Sequence, residues 1–234
     1  MKLANIQHEK NVALRKGDAL IVVDMQNDFM PGGALAVENG DSLVPGINSL
    51  MEEFNNQNLP VIFTQDWHTE NHKSFASAHE GKDPFDAHEE PGIGPVLWPD
   101  HCVQGSDGAD FHTDLETTYA QTIIRKGYNQ ERDSYSGFLE NDHATETGLD
   151  GYLQNRDIRR IFVCGLAMDY CVFFTSADGA DKGYDVFCIS DLTLHVGSPK
   201  DSVSNALETM QEKGVVFVES DNIRFDSKHQ SKAA

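Results

Sequence analysis

The stretch Ile161-Phe-Val-Cys-Gly-Leu-Ala-Met-Asp-Tyr-Cys-Val-Phe-Phe-Thr175 decides the fold. It begins with an apolar run that stops at Gly165, and its pattern turns helical at Cys171. This order indicates a buried strand, a tight turn and the first turn of a helix. A thiol there meets unpaired backbone N–H groups and the positive end of the helix dipole, which lower its pKa and favour the nucleophilic thiolate. The alternative is a buried structural cysteine, our interpretation of Cys164 and Cys188 inside apolar runs.

Similar apolar runs recur along the chain and alternate with helical patterns. One helix is predicted after Asp41-Ser42, and another begins at Ser198-Pro199, because a hydroxyl N-cap followed by Pro starts helices. The alternation predicts an α/β fold, a single doubly wound domain with a six-stranded, mostly parallel sheet and helices on both faces. The six predicted strands are residues 19–23, 61–64, 122–124, 161–164, 184–189 and 215–218.

The predicted domain spans residues 17–225, between a polar extension at 1–16 and a polar tail at 226–234. Residues 71–113 are irregular and rich in Gly, Pro and His, and so long a segment without periodicity is usually functional. The first predicted strand is not followed by a GxGxxG motif, and the chain has no Walker A loop, so a nucleotide-binding interpretation lacks its motif.

The composition is strongly acidic, with 38 Asp and Glu against 18 Lys and Arg and a formal net charge of -20. This charge argues against binding nucleic acid or an anionic membrane, and solubility is its simplest explanation. Residues 1–16 lack the apolar core of a signal peptide, and no apolar run is long enough to span a bilayer. The four cysteines show no CxxC spacing, so a reduced, cytoplasmic compartment is the expectation.

Polar residues follow the carboxyl ends of four predicted strands: Asp24, Asp66 with His68, Lys126 and Cys171. In a parallel sheet these ends lie on one edge, where open α/β sheets bind their ligands. Asp24 alone could be a loop cap, and Lys126 alone a solvated cation. Four unrelated surface residues would rarely line up in this way, which favours a shared site.

Two sub-sites can be derived from these residues. In the first, Asp24 takes the proton of the Cys171 thiol, and Lys126 stabilises both groups. In the second, Asp66, His68 and His101 supply one oxygen and two nitrogen donors, a usual arrangement for a catalytic divalent metal with an open position. The Asp-x-His spacing alone is a weak signal, since a single His more often hydrogen-bonds within a loop. Competing donors nearby are Glu70, His72, His79 and His88.

Five motifs in order resemble the nicotinamidases (pyrazinamidases) of the isochorismatase-like cysteine hydrolases. The resemblance runs from about Asp18 to Val218, and the series is far more specific than any one motif. The Asp-Trp-His and Trp-Pro-x-His segments matter most, because they set the metal-dependent nicotinamidases apart from metal-free relatives. The motifs are Asp24-Met-Gln-Asn-Asp-Phe29, Asp66-Trp-His68, Trp98-Pro-Asp-His101-Cys-Val103, Arg125-Lys126-Gly127 and Gly165-Leu-Ala-Met-Asp-Tyr-Cys-Val172.

The resemblance implies a role for each sub-site. Asp24, Lys126 and Cys171 would form the catalytic triad. A cis peptide is implied at Leu166-Ala167, with the backbone N–H groups of Ala167 and Cys171 forming an oxyanion hole.

The resemblance also implies a cofactor and a substrate pocket. One divalent metal ion, most often Zn²⁺ with Fe²⁺ or Mn²⁺ as alternatives, would be held by Asp66, His68 and His101. Some members have a further ligand near Ser74; here we expect water to complete the shell. The aromatic residues that match the family's pyridine pocket are Phe29, Trp98 and Tyr135.

The implied activity is that of an amidohydrolase acting on linear amides. It converts nicotinamide, and with it pyrazinamide, to nicotinate and ammonia through a Cys thioester, in NAD salvage. The expected partner is this small-molecule substrate, without nucleic acid or membrane, and a homo-oligomer is compatible with the sequence. Alternatives are a superfamily amidase for carbamoyl or ureido substrates, an isochorismate hydrolase, which lacks the Cys, and a silent binding or scaffold protein.

Overall fold

The computed structural model describes residues 6–224 as a parallel sheet with helices packed on it. The strands are β1 (His8–Glu9), β2 (Val12–Ala13), β3 (Asp18–Val23), β4 (Val61–Asp66), β5 (Ala120–Lys126), β6 (Arg160–Leu166), β7 (Asp185–Leu194), β8 (Val216–Val218) and β9 (Ile223–Arg224). The α-helices are α1 (Val44–Asn56), α2 (Leu149–Gln154), α3 (Cys171–Asp181) and α4 (Ser202–Glu212). Among these helices, none has both the length and the apolar character needed to cross a membrane.

The main sheet has seven strands in the order β1-β8-β7-β6-β3-β4-β5, all paired in parallel, and this confirms the predicted fold class. The predicted number of six strands is wrong by one. The extra strand is β1, which lies within the predicted extension and pairs with β8. Two residues are too few to show a periodicity, and this strand is held by its backbone pairing. Residues 1–5 of the extension, the predicted domain end at 225 and the tail at 226–234 lie outside the described residues.

The centre of the sheet is formed by β3 and β6, whose residues are all buried. They run side by side from the pair Asp18 and Arg160 to the pair Val23 and Gly165. Gly165 has φ +107°, and a side chain there would overlap the carbonyl oxygen of Val23. Only glycine fits this position, where the chain leaves the sheet towards α3.

Helix α4 begins later than the Ser198-Pro199 signal predicts. The helix starts at Ser202, and a cis peptide joins Ser198 to Pro199. The preceding segment is bound to the turn before α3, because the Tyr170 hydroxyl donates to the Ser198 carbonyl oxygen at 2.5 Å. The carboxylate of Asp169 also accepts N–H groups of this segment, those of Val196 and Gly197, both at 2.9 Å. These tertiary hydrogen bonds override the local helix-start signal.

A buried ion pair fixes the amino ends of the two central strands. Arg160 Nε donates to Asp18 Oδ1 at 2.7 Å and Arg160 Nη2 to Asp18 Oδ2 at 2.6 Å. Arg160 Nη2 also donates to the Ala13 carbonyl oxygen at 2.7 Å, which attaches β2 to the domain. Removing one partner of such a pair leaves the other charge buried and unpaired.

We therefore expect Asp18→Asn to lower the free energy of unfolding by about 3 kcal/mol, measured by urea denaturation. Asp181→Asn is the matched control, because Asp181 pairs with Lys213 at 2.7 Å but is 59% exposed. That control should change the free energy of unfolding by less than about 1 kcal/mol. Equal changes in the two variants would contradict the stabilising role of the buried pair.

Candidate active site

The ammonium group of Lys126 is the centre of the site. Lys126 is the last residue of β5, and its Nζ lies 2.8 Å from Asp24 Oδ2 and 3.3 Å from Cys171 Sγ. It also contacts Asp66 Oδ1 and donates to the Ser134 carbonyl oxygen at 3.1 Å. Asp24 follows β3, Asp66 ends β4 and Cys171 begins α3, so the structure brings the predicted strand-end residues together at one edge.

The carboxylate of Asp66 belongs to both predicted sub-sites. Its Oδ1 contacts the Lys126 ammonium, while its Oδ2 lies 3.7 Å from His68 Nε2 and 3.9 Å from His101 Nε2. The sequence motifs predict two separate sub-sites. In the structure, one carboxylate connects them.

The two histidines are oriented as metal ligands would be. His68 Nδ1 lies 2.9 Å from the Gly127 carbonyl oxygen, and His101 Nδ1 lies 2.8 Å from that of Pro99. Since a carbonyl oxygen only accepts, each Nδ1 carries a proton, and each Nε2 faces Asp66 as the ring nitrogen that would bind a metal. Burial, and then the neighbouring His68, lowers the pKa of His101 to about 4, so its imidazole stays neutral.

These donors fit a divalent metal. Their ligand atoms lie within 4.8 Å of one another, and all three residues are buried. Two imidazoles and one carboxylate form a usual set for a catalytic ion, with room for further ligands.

Two of the competing donors, His72 and His79, are hydrogen-bonded within the protein. His72 Nδ1 lies 2.7 Å from Ser74 Oγ, and His72 Nε2 lies 2.9 Å from the Asn129 carbonyl oxygen, so both ring nitrogens have protein partners. His79 Nε2 is bonded to the Lys73 carbonyl oxygen. Asp133 does approach this region, since its carboxylate lies within 4.8 Å of ring nitrogens of His68 and His72.

The thiol of Cys171 has an electrostatic environment opposite to the one expected from its helix position. Burial raises the pKa of Cys171 well above the ordinary value, Lys126 only partly offsets this, and the carboxylate of Asp24 raises the pKa further. The prediction of a lowered pKa is therefore wrong. The sequence indicates the helix N-terminus, but it contains no direct signal for the depth of burial or for the proximity of two carboxylates.

Asp24 is also less acidic than usual. Burial raises the pKa of Asp24, and the Lys126 ammonium opposes this effect. Two buried groups with raised pKa values thus flank one ammonium ion. This arrangement suits proton transfer between the thiol and the carboxylate.

A cavity joins the thiol to the metal-ligand cluster. Phe29, Trp98 and Tyr135 line it, in the positions that the aromatic motifs predict. Trp98 Nε1 donates to the Tyr135 hydroxyl at 3.0 Å, which in turn donates to the Gly94 carbonyl oxygen at 2.9 Å, so this wall is fixed. The remaining lining residues are Leu35, Asp66, His68, His101, Asp133, Ala167, Tyr170, Cys171 and Val196.

The turn before α3 contains the cis peptide that the resemblance implies. The Leu166-Ala167 peptide is cis. Ala167 and Cys171 both line the cavity, and Cys171 opens the helix, where the first backbone N–H groups have no intrahelical acceptor. The Ala167 carbonyl oxygen accepts the N–H groups of Tyr170 and Val172 at 3.0 and 3.1 Å, which closes the turn.

Sequence reasoning missed several residues that support the site. Thr64 Oγ1 donates to Asp24 Oδ1 at 2.6 Å. Thr64 lies two residues before Asp66 on the same strand, and the alternation of side chains along a strand could have identified it. Ser134 contributes its backbone carbonyl oxygen, and Val196 lies on a loop that is far along the chain from the other site residues. Neither residue therefore has a local sequence signal.

The comparisons with known proteins agree with this architecture. A family model described as the isochorismatase domain matches residues 18–222. The nicotinamidase of Acinetobacter baylyi is 45% identical over 205 residues, which is 88% of this chain and 94% of the relative. The structure of PnC1 from L. infantum in complex with nicotinate is 39% identical, with a TM-score of 0.79 over 92% of this chain and 98% of that one. The structure of the pyrazinamidase of Pyrococcus horikoshii in complex with zinc is 36% identical, with a TM-score of 0.70 over 87% and 99%. With a family match over most of its length and relatives this similar, the chain belongs to the isochorismatase family.

Proposed function

We propose that this protein is a nicotinamidase that hydrolyses nicotinamide to nicotinate and ammonia, with pyrazinamide as a second substrate. The observation that carries the proposal is an aromatic-lined cavity onto which both Cys171 and the cluster of Asp66, His68 and His101 open. The relative from A. baylyi is a nicotinamidase, and the similar protein from L. infantum binds nicotinate. Nicotinamide is the amide released when NAD is consumed, so the reaction belongs to NAD salvage. A nucleophilic thiol suits a reduced compartment such as the cytoplasm.

Asp66, His68 and His101 would hold one divalent metal ion, for which we propose Zn²⁺. Two imidazoles and a carboxylate suit this ion, and the similar pyrazinamidase of P. horikoshii is in complex with zinc. Fe²⁺ and Mn²⁺ accept the same donors. When bound, such an ion supplies Lewis acidity towards the ring nitrogen of a pyridine.

The chain's own residues carry the acylation step. Asp24 accepts the thiol proton while Cys171 Sγ attacks the carboxamide carbon of the substrate. The backbone N–H groups of Ala167 and Cys171 stabilise the resulting oxyanion. Asp24 then returns the proton to the leaving nitrogen, which departs as ammonia and leaves a thioester on Cys171.

Deacylation uses the same base. Asp24 takes a proton from a water molecule that attacks the thioester carbon. The C–S bond then breaks, nicotinate forms, and Asp24 returns the proton to the departing Cys171 thiolate. Lys126 keeps its ammonium beside both groups and stabilises whichever of them carries the negative charge. Phe29, Trp98 and Tyr135 hold the pyridine ring; aromatic contacts of this kind contribute about 1 kcal/mol each.

Ammonia release is the direct test of the function. We expect release from nicotinamide and pyrazinamide, loss of that release after treatment with a chelator, and recovery when Zn²⁺ is added back. Release only from carbamoyl or ureido compounds would instead identify another amidase of the superfamily. No release from any amide would identify a silent binding protein.

The nucleophile is tested by Cys171→Ala. Because the thioester cannot form, we expect kcat for nicotinamide to fall by roughly 10³-fold or more. Zinc content and the circular dichroism spectrum should match those of the wild type. Cys188→Ala, which removes a buried thiol from β7, is the matched control and should keep the wild-type kcat. Full amidase activity in Cys171→Ala would rule out the nucleophile.

The base is tested by Thr64→Val, which removes the hydroxyl that donates to Asp24 at 2.6 Å. That hydrogen bond favours the charged carboxylate, so its loss raises the pKa of Asp24 further. Asp24 accepts a proton only when ionised, and the acidic limb of kcat/KM against pH should therefore move to higher pH. The expected shift is about one unit if the bond contributes about 1.4 kcal/mol. Thr64→Ser keeps the hydroxyl and should keep the wild-type limb; the same profile in all three proteins would argue against Asp24 as the base.

A further inference from the structure

The carboxylate of Asp28 connects two loops that carry parts of the site. Asp28 directly precedes the pocket residue Phe29. Its Oδ2 accepts the backbone N–H of Cys102 at 2.7 Å, and its Oδ1 accepts that of Ala34 at 3.2 Å. Cys102 directly follows His101, so one carboxylate binds its own loop and the loop of a proposed metal ligand.

Cys102 continues this connection to the second histidine. Its carbonyl oxygen accepts the backbone N–H of His68 at 3.0 Å. Its backbone has φ +47°, a region that residues with side chains rarely adopt and that surrounding contacts must enforce. The hydrogen bond from Cys102 to Asp28 is one such contact. The chain of contacts therefore runs from Asp28 through Cys102 to His68, with His101 beside it.

The loop of residues 107–109 packs closely against the same carboxylate. A side chain at Gly108 would overlap the Asp28 carboxylate. The adjacent Asn27 also binds this loop, with Nδ2 donating to the Asp107 carbonyl oxygen at 2.8 Å and its N–H donating to that of Asp110 at 2.9 Å. Because Gly108 has no side chain, the Asp28 carboxylate can lie against this loop.

We infer that Asp28 is a positioning residue that holds His101 in place, relative to His68, for binding the divalent metal. The inference rests on the proposed metal-binding function. Asp28 is not among the residues that line the cavity, and its carboxylate acts through the backbone of Cys102. Hydrogen-bonding groups that orient metal ligands typically change metal affinity by about 10- to 100-fold when they are removed.

The test measures Zn²⁺ affinity of the metal-free full-length protein by competition with a chromophoric chelator. Asp28→Ala should bind Zn²⁺ about 10- to 100-fold more weakly than the wild type. Asp28→Asn keeps one acceptor oxygen and should be intermediate. Asp107→Ala is the matched control, since it removes an exposed carboxylate from the neighbouring loop, and it should bind Zn²⁺ like the wild type.

A double-mutant cycle separates positioning from a general loss of structure. Gly108→Ala displaces the carboxylate and should weaken Zn²⁺ binding when Asp28 is present. In the Asp28→Ala background the added methyl group has no carboxylate to displace, so Gly108→Ala should cause little further loss. Equal losses in both backgrounds would overturn the inference. If Asp28→Ala fails to fold, Asp28→Asn and Gly108→Ala are measured singly. Both should weaken Zn²⁺ binding and alter the visible spectrum of bound Co²⁺, and wild-type affinity in both would overturn the inference.

His101→Ala shows which proposal has failed if the results disagree. Wild-type protein that binds no Zn²⁺, or His101→Ala that binds it equally well, would overturn the proposed metal site. Strong binding by the wild type, weak binding by His101→Ala and unchanged binding by Asp28→Ala would overturn only the role of Asp28.

Discussion

The site depends on one positive charge buried at the carboxyl edge of the sheet. An ammonium group removed from water costs several kcal/mol unless it is paired and hydrogen-bonded. Burial lowers the pKa of Lys126, but Asp24 and Asp66 outweigh this effect and raise the pKa well above its ordinary value. Lys126, Asp24 and Asp66 stand at the ends of β5, β3 and β4, so the charge is compensated only when these three strands pair in register. The pairing of these strands is therefore what assembles the site.

The Lys126 charge also explains how the thiol centre and the proposed metal centre can share one carboxylate. Asp66 gives one oxygen to Lys126 and turns the other towards His68 and His101. Burial opposes ionisation of Asp66, yet Lys126 and then His68 hold its pKa well below the ordinary value. The carboxylate thus stays charged and can serve a cation on each side. A change on either side alters the charge available to the other, which couples the thiol centre to the proposed metal centre.

The sequence predicts the elements and the location of the site because both depend on patterns that are local. Strands such as β3 are continuous apolar runs, and the carboxyl ends of parallel strands must share an edge, so Asp24, Lys126 and Cys171 could be grouped without coordinates. Features that depend on tertiary contacts leave no local pattern in the sequence. Strand β1 is held by backbone pairing with β8, and the start of α4 is displaced by hydrogen bonds to the turn before α3.

The electrostatics of the thiol could not be predicted for the same reason. A helix N-terminus is visible in the sequence, whereas burial and the approach of Asp24 and Asp66 are properties of the assembled sheet. These properties reverse the expected pKa shift of Cys171.

The raised pKa of Cys171 is compatible with its proposed role as a nucleophile because the pKa of Asp24 is raised as well. Transfer of a proton between two groups costs the difference between their pKa values, so a base more basic than an ordinary carboxylate makes this transfer less unfavourable. The Lys126 ammonium lies 2.8 Å from the Asp24 carboxylate and 3.3 Å from the Cys171 sulfur. It therefore stabilises the negative charge on Asp24 before the proton transfer and on Cys171 after it. A thiol that remains protonated until substrate arrives is also less open to oxidation than a free thiolate. Burial therefore suppresses oxidation of the sulfur, while the Lys126 ammonium lowers the cost of proton transfer from Cys171 to Asp24.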